Sequence, residues 1–313
     1  MADNIKDINE NEVASEKPIN SGMNNRDIKT ISKKQTAVRV IVQIALYSFL
    51  VIMAIIVLFP FYWMLISSVK TITEYNQTVP SFWPKQVRWD TYKIAFEKVD
   101  FGKVFWNTCY VGIVSTVLSL IITVLSAYAF ARLDFKGKNI MFGAMLATMM
   151  IPGELFTITN YITVVSVLNW SNTFSALIFP FLVSVFYIYL LRQNFMQIPN
   201  ELYLAAKVDG TSDLKYLWKV MIPLAAPTLV SITILKMMGS WNSYIWPSLV
   251  TDQLSGKWIM TVALRSAEFG EGALMDYPAQ MAAVVLVTVP LFIVFLFFRK
   301  YIIRGVSRSG IKG

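Results

Sequence analysis

Between Arg39 and Lys70 stand thirty consecutive residues, Val40 to Val69, without a charged side chain, and a second such run, Val104 to Ala131, lies between Lys103 and Arg132. Charge-free apolar runs of about 18 or more residues are what a bilayer demands of a spanning helix. The composition agrees, with 56% apolar and 15% charged residues, against roughly 45–50% and about 25% in soluble domains. From Asn139 to Leu191 the only charge is Glu154, and the polar cluster Asn169-Trp170-Ser171-Asn172-Thr173 divides this stretch into two spans. Leu224 to Thr251 carries one charge, Lys236, and Tyr277 to Phe298 carries none. The expected fold is an all-α integral membrane protein with six transmembrane helices. Helices are the expected element because backbone groups in lipid must be satisfied within their own segment, and no ten-residue alternation suggests a barrel.

The expected organisation is a solvated tail over 1–38, a first transmembrane helix over 39–70, an outer loop over 71–103, a core of helices two to six over 104–300 and a tail over 301–313. The opening segment is rich in Asn, Lys, Glu and Ser and reads as neither a cleavable signal nor a folded domain. In the outer loop, Trp89 to Lys98 suits a short interfacial helix. With the N-terminus inside, nineteen Lys and Arg fall on the inner side and eight on the outer. That asymmetry places both termini in the cytoplasm. The formal charge of +9 is therefore assigned to cytoplasmic loops rather than to nucleic acid binding. The chain has no His and a single cysteine, Cys109, which excludes imidazole chemistry, His-ligated metals and intrachain disulfides. No metal site and no catalytic cluster is expected.

The longest inner loop, within 195–223, is predicted to be a helical hairpin. Pro199 suits the first turn of a helix, and Asp209-Gly210 ends it, because glycine accepts the left-handed cap conformation. Thr211, Ser212 or Asp213 is placed to cap a second helix, whose Leu214, Leu217, Trp218 and Met221 form one apolar stripe. On spacing alone, a hairpin packed on its own bundle fits as well as one built for a partner.

The run Leu204-Ala205-Ala206-x-x-Asp209-Gly210-Thr211, followed by Leu217, Val220, Pro223 and Pro227, resembles the EAA loop of ATP-binding-cassette (ABC) importer permeases. Three further segments narrow the resemblance to the smaller permease subunit of maltose-type carbohydrate importers. They are Ala127-Tyr128-Ala129-Phe130-Ala131-Arg132-Leu133, Gly239-Ser240-Trp241-Asn242-x-Tyr244-x-Trp246-Pro247, and the tail from Arg299 to Gly313. The resemblance implies a type I ABC importer permease fold in a bacterial or archaeal cell membrane. It also implies a second permease subunit, two cytoplasmic ATPase subunits and an extracellular solute-binding protein. Sugar would cross by alternating access. In such a permease the loop is a coupling helix seated in the ATPase, with Glu201, Leu204, Ala205, Ala206, Asp209, Gly210 and Thr211 at the contact. Leu204 stands where the family carries glutamate, and Glu201 is the nearest carboxylate. No G-x-x-x-x-G-K-[ST] phosphate loop is present, so the chain does not bind ATP in that way. The resemblance implies that ATP and Mg are used by the partner ATPases and that this chain is a non-catalytic subunit with no cofactor of its own.

Glu154 and Lys236 both fall near mid-membrane. A centrally placed charge costs ~2.5–3.5 kcal/mol on insertion scales, which favours a paired or cavity-facing side chain. Two readings stay open: a Glu154–Lys236 ion pair, or a substrate pathway. For the pathway, Gly239, Ser240 and Ser243 recur at i+3, i+4 and i+7 from Lys236, with Asn242 at the edge and Trp241, Tyr244 and Trp246 nearby as sugar-stacking aromatics. A lone, cavity-facing Lys236 would favour acidic sugars. The rival from another class is an ion-coupled secondary transporter using Glu154.

Overall fold

The computed structural model of the chain describes residues 25–271 and 274–307, with side chains from residue 38 onward except 271–274, 298 and 300–307. The expected tails fall largely outside these residues, at 1–24 and 308–313. Two units are distinguished, Met1–Tyr62 and Trp63–Gly313. The first is dominated by the helix Asn25–Ser67, which starts within the segment expected to be tail and carries the first span, Val38–Ser67.

Two more helices are long and apolar enough to cross a membrane alone, the second span Phe101–Arg132 and the sixth Tyr277–Phe297. Three helix pairs meet the same criterion only when taken together: Lys138–Thr148 with Gly153–Val167, bent by 87°, Phe174–Phe181 with Val185–Met196, bent by 47°, and Asp213–Leu224 with Ala226–Trp241, bent by 80°. Counting each pair as one span gives the expected six. The sharpest bends sit at prolines. Pro152 follows the first break and disfavours helix at Ile151, while Pro223 and Pro227 flank the third, each removing an amide from the ladder. Pro290 lies inside the sixth helix without interrupting it. Asn169 and Asn172 take left-handed backbone (φ 55° and 61°) at the expected division between the third and fourth spans. Asn172 fixes that turn by donating from Nδ2 to Asp252 Oδ2 at 2.7 Å and accepting from the Asp252 amide at 2.8 Å.

Within the second unit the second span is the spine. Near its start, Phe101 and Val104 pack with Trp241, Met260, Ala263, Ala279, Ala282 and Ala283. Val111 joins Leu177, Ile178, Trp246 and Ile259. Near its end, Ala127 and Tyr128 join Leu191, Phe195, Tyr216, Leu217, Met221 and Ile232. A Cβ on Gly112 would stand 2.9 Å from Met237 Sδ and 3.8 Å from Ser240 Oγ, so a missing side chain lets the second and fifth spans meet.

The loop over 71–103 is ordered and carries the helix Asp90–Lys98, close to the expected Trp89–Lys98. Lys70 is buried, donates to the Ser81 carbonyl and lies 4.5 Å from the centre of the Trp63 ring. Glu74 is also buried and accepts from the Ser81 hydroxyl at 2.5 Å and the Lys85 amide at 3.1 Å. Arg88 pairs with Asp276 at 2.8 Å, and Asp276 in turn accepts from the Ala279 amide at 3.0 Å, which ties this loop to the start of the sixth helix.

Burial pushes the Glu74 carboxyl up, but the hydrogen bonds from Ser81 and the Lys85 and Gln86 amides, with the Lys70 charge, outweigh it and leave it below the ordinary carboxylate value. Its stabilising contribution is therefore complete at neutral pH and is lost as pH falls through that lowered value. Glu74→Ala strands the Ser81 and Lys85 donors, at a cost of about 1–3 kcal/mol. The expected outcome is faster protease nicking between residues 71 and 89 in the purified protein, with no change at the 200–208 helix. Equal nicking rates would show that Glu74 does not hold the loop.

Candidate functional site

Two features stand apart: a hairpin beyond the spans and a cavity between them. The hairpin's first helix, Asn200–Val208, follows Pro199 as expected. Its end is a complete left-handed cap. Gly210 has φ +66°, its amide donates to the Lys207 carbonyl at 3.1 Å, and the Thr211 amide donates to the Ala206 carbonyl at 2.8 Å. Glu201, Leu204, Ala205 and Asp209 are exposed, and Ala206 and Thr211 are half-buried. Leu204 and Val208, one turn apart, are 56% and 88% exposed, an apolar face outside the membrane spans.

In the second arm Ser212, one of the three expected candidates, occupies the cap position, and its side chain makes no cap hydrogen bond. The apolar stripe, by contrast, is not single. Leu217 and Met221 are buried, while Leu214 and Trp218 are 61% and 68% exposed. Residues three apart differ by about 300° around a helix, so these pairs occupy edges about 60° apart, and the π-helical turn Leu217–Met221 alters the winding there. The bundle fills one edge and leaves the other bare.

Asp213 instead joins the hairpin together. Its Oδ1 accepts from Tyr128 at 2.9 Å and Tyr203 at 3.0 Å, and its Oδ2 pairs with Lys207 at 2.9 Å. One turn beyond Tyr128, Arg132 Nη2 donates to the Phe195 carbonyl at 3.1 Å and the Ile198 carbonyl at 2.5 Å, while Nη1 reaches Asn200 Oδ1 at 3.2 Å. The second span thus holds the start of the first arm through Arg132 and the start of the second through Tyr128. Led by the Lys207 hydrogen bond, these contacts hold the Asp213 carboxyl below the usual aspartate value against its burial. Sequence reading had found Tyr128 and Arg132 as motif residues and Asp213 as a cap candidate. The cross-chain contacts carry no signal in local spacing.

The cavity measures about 430 Å³, within the range of small-molecule sites. Its walls come from the second span (Val111, Ser115), the fourth (Phe181, Ser184, Tyr187) and the fifth (Lys236, Gly239, Ser240, Ser243) with Trp246. The expected polar face Lys236-Gly239-Ser240-Ser243 is therefore brought together. Ser115, Phe181, Ser184 and Tyr187 had not been singled out, since only the bends bring the fourth span to this face.

The remaining pathway candidates lie elsewhere. Glu154 is exposed in the short 3-10 turn Gly153–Phe156 after the 87° bend, is absent from the cavity wall and makes no ion pair with Lys236. The Lys236 ammonium instead donates to the Phe181 carbonyl at 2.7 Å. Trp241 is buried edge-on against Phe105, with centroids 5.9 Å apart, Tyr244 lies under Arg265, and Asn242 is exposed at the end of the helix Ala226–Trp241. Among the described residues no group of three or more His, Cys, Asp or Glu converges on a metal position.

Residues 119–308 match the family described as the binding-protein-dependent transport system inner membrane component. The chain is 30% identical over 277 residues to the arabinooligosaccharides transport system permease AraQ of Bacillus subtilis (strain 168), covering 87% of this chain and 96% of that one. It is 29% identical over 270 residues to the diacetylchitobiose uptake system permease NgcG of Streptomyces coelicolor, covering 84% and 87%. Among solved structures, a bacterial ABC transporter involved in the import of the acidic polysaccharide alginate superposes with a TM-score of 0.73 at 25% identity, covering 83% of this chain and 96% of that one. Ion coupling at Glu154 finds no support in these relatives or in the geometry. The chain therefore belongs to the binding-protein-dependent inner-membrane permeases of ABC importers, subunits of transport rather than catalysis.

Proposed function

We propose that this chain pairs with a second permease subunit to move a sugar or oligosaccharide into the cytoplasm by alternating access. Two cytoplasmic ATPase subunits using ATP and Mg drive the cycle, and an extracellular solute-binding protein delivers the sugar. Both termini and the hairpin face the cytoplasm, as the Lys and Arg asymmetry requires. The observation that carries this reading is a hairpin pinned to the second span through Asp213 and Arg132 and bare along Leu204 and Val208. A lever needs that combination: a stiff connection to the membrane helices and an apolar face for the motor. Glu201, Leu204, Ala205, Ala206, Asp209, Gly210 and Thr211 form the coupling face, and a leucine in place of the family's glutamate makes that contact more apolar. The cavity walled by Lys236, Gly239, Ser240 and Ser243 is part of the sugar path.

Nothing lies within 4 Å of where a Cβ on Gly210 would stand, so a substitution there strains the backbone without a clash. Gly210→Val is expected to destabilise the turn by about 1–2 kcal/mol. It should leave the assembly in the membrane while abolishing most sugar-stimulated ATP hydrolysis, and Gly210→Asn should retain more. Full stimulation in the Val variant would remove the hairpin from the coupling path.

Asp213→Ala releases Tyr128, Tyr203 and Lys207 together. Amide hydrogen exchange over 200–208 in the assembled importer is expected to accelerate, while exchange over 185–196 is unchanged. Because the Asp213 carboxyl is held low, its contribution is complete above the ordinary aspartate value of ~3.9 and lost only below it. Wild-type protection should therefore be the same at pH 7 and about pH 5. Loss of protection already at the milder value would show that another group holds the hairpin.

A further inference from the structure

We propose that Lys236 makes the cavity a subsite for an anionic group, carboxylate or phosphate ester, carried by the transported carbohydrate. The inference rests on the reading of this cavity as sugar path and goes beyond it by naming a charge on the cargo.

Among the described residues, Lys236 is the only charged one on the cavity wall, and no carboxylate faces it there. An ammonium has three N–H donors. One is used on the Phe181 carbonyl at 2.7 Å. That carbonyl sits where the fourth span breaks, between Phe174–Phe181 and Val185–Met196, so the hydrogen bond fixes the ammonium without neutralising it. Two donors remain. Glu154, the acid that the sequence offered as a counter-ion, lies outside the wall.

An uncharged donor would serve the Phe181 carbonyl equally well, and a neutral sugar's hydroxyls would find partners in Ser184, Tyr187, Ser240 and Ser243. Neither role needs a cation, and a cation at this depth carries the penalty of leaving water. An entering anion supplies the missing partner: the two free N–H groups give charge-assisted hydrogen bonds, which are stronger in a site from which water is partly excluded. The small face of Gly239 and Ser240 beside the ammonium leaves room for the approaching group.

The test uses the complete importer with its partner permease, ATPases and binding protein in proteoliposomes. Uptake of three probes is compared: a neutral glucose trisaccharide, a uronate trisaccharide and a hexose phosphate. Wild type is expected to prefer an anionic probe over the neutral one, with the uronate and phosphate arms distinguishing the two anion sources. Lys236→Gln should raise KM for the anionic probe about tenfold or more relative to the neutral probe, and Lys236→Arg should restore most of the preference. An anionic-to-neutral ratio unchanged in Lys236→Gln, or a wild type that carries the neutral probe best, overturns the inference. Ser240→Trp separates this from the underlying reading. If it blocks all probes while the Gln variant leaves the ratio alone, the cavity is the path and the charge assignment alone fails. If it blocks none, the path itself is misplaced.

Discussion

Hydrocarbon cannot solvate a backbone amide or carbonyl, so every break in a membrane-embedded helix must be answered from within the protein. Three of the six spans are broken, and that requirement shapes the bundle. The Phe181 carbonyl at the fourth-span break takes the Lys236 ammonium. Nearby, Trp246 Nε1 donates to the Ala176 carbonyl at 2.8 Å, and the Thr261 hydroxyl donates to the Ser243 carbonyl. Ser184 accepts from the Tyr187 amide at 3.4 Å as the second half of the fourth span restarts. These groups gather in and around one cavity. A polar interior in this chain is the consequence of bending helices in a solvent that punishes bending, and the proposed sugar path makes use of it.

The second span connects that interior to the hairpin. Ser115 lines the cavity and Tyr128 holds Asp213. Tyr128 lies thirteen positions beyond Ser115, about 20 Å at ~1.5 Å per residue. The same helix carries Gly112, where the fifth span comes close. The hairpin's second arm is itself the first half of the fifth span and runs through the 80° bend at Ala225, eleven residues before Lys236. Hairpin and cavity are therefore joined by two helices, one reached through side-chain hydrogen bonds and the other through the chain itself. In the coupling proposed above, a displaced hairpin would act on these helices where they meet, beside Ser240 on the cavity wall.

What was legible in the sequence follows from how local the cause is. Charge-free runs mark the spans because the bilayer selects on composition. Gly210 marks the end of the hairpin helix because only its own φ is at issue, and Asp90–Lys98 was visible as a short amphipathic segment. The face Lys236-Gly239-Ser240 was visible because the helix Ala226–Trp241 keeps its period through those positions, and Ser243 follows just past its end. The errors fall where another element decides. Leu214 and Trp218 share a period with Leu217 and Met221, yet whether an edge is buried depends on what the bundle offers opposite. Glu154 and Lys236 share an expected depth only if the third span is straight, and the 87° bend removes that premise. Asp213 looks like a cap from its neighbours, whereas one of its partners, Tyr128, is 85 residues away in sequence.

The exchange of the family's glutamate for Leu204 is easier to understand once the base of the hairpin is in view. A carboxylate on an exposed helical face must be desolvated when a partner closes over it, and it contributes only if that partner supplies a matching donor. Here the anchoring carboxylate is Asp213, at the base, where Tyr128, Tyr203 and Lys207 already satisfy it within this chain. The apex is then free to be apolar, and Leu204 with Val208 presents a surface whose burial needs no particular donor from the partner. In the coupling proposed above, orientation is set inside the permease by Asp213 and Arg132 against the second span, and adhesion to the motor subunit is left to the exposed face of Leu204 and Val208.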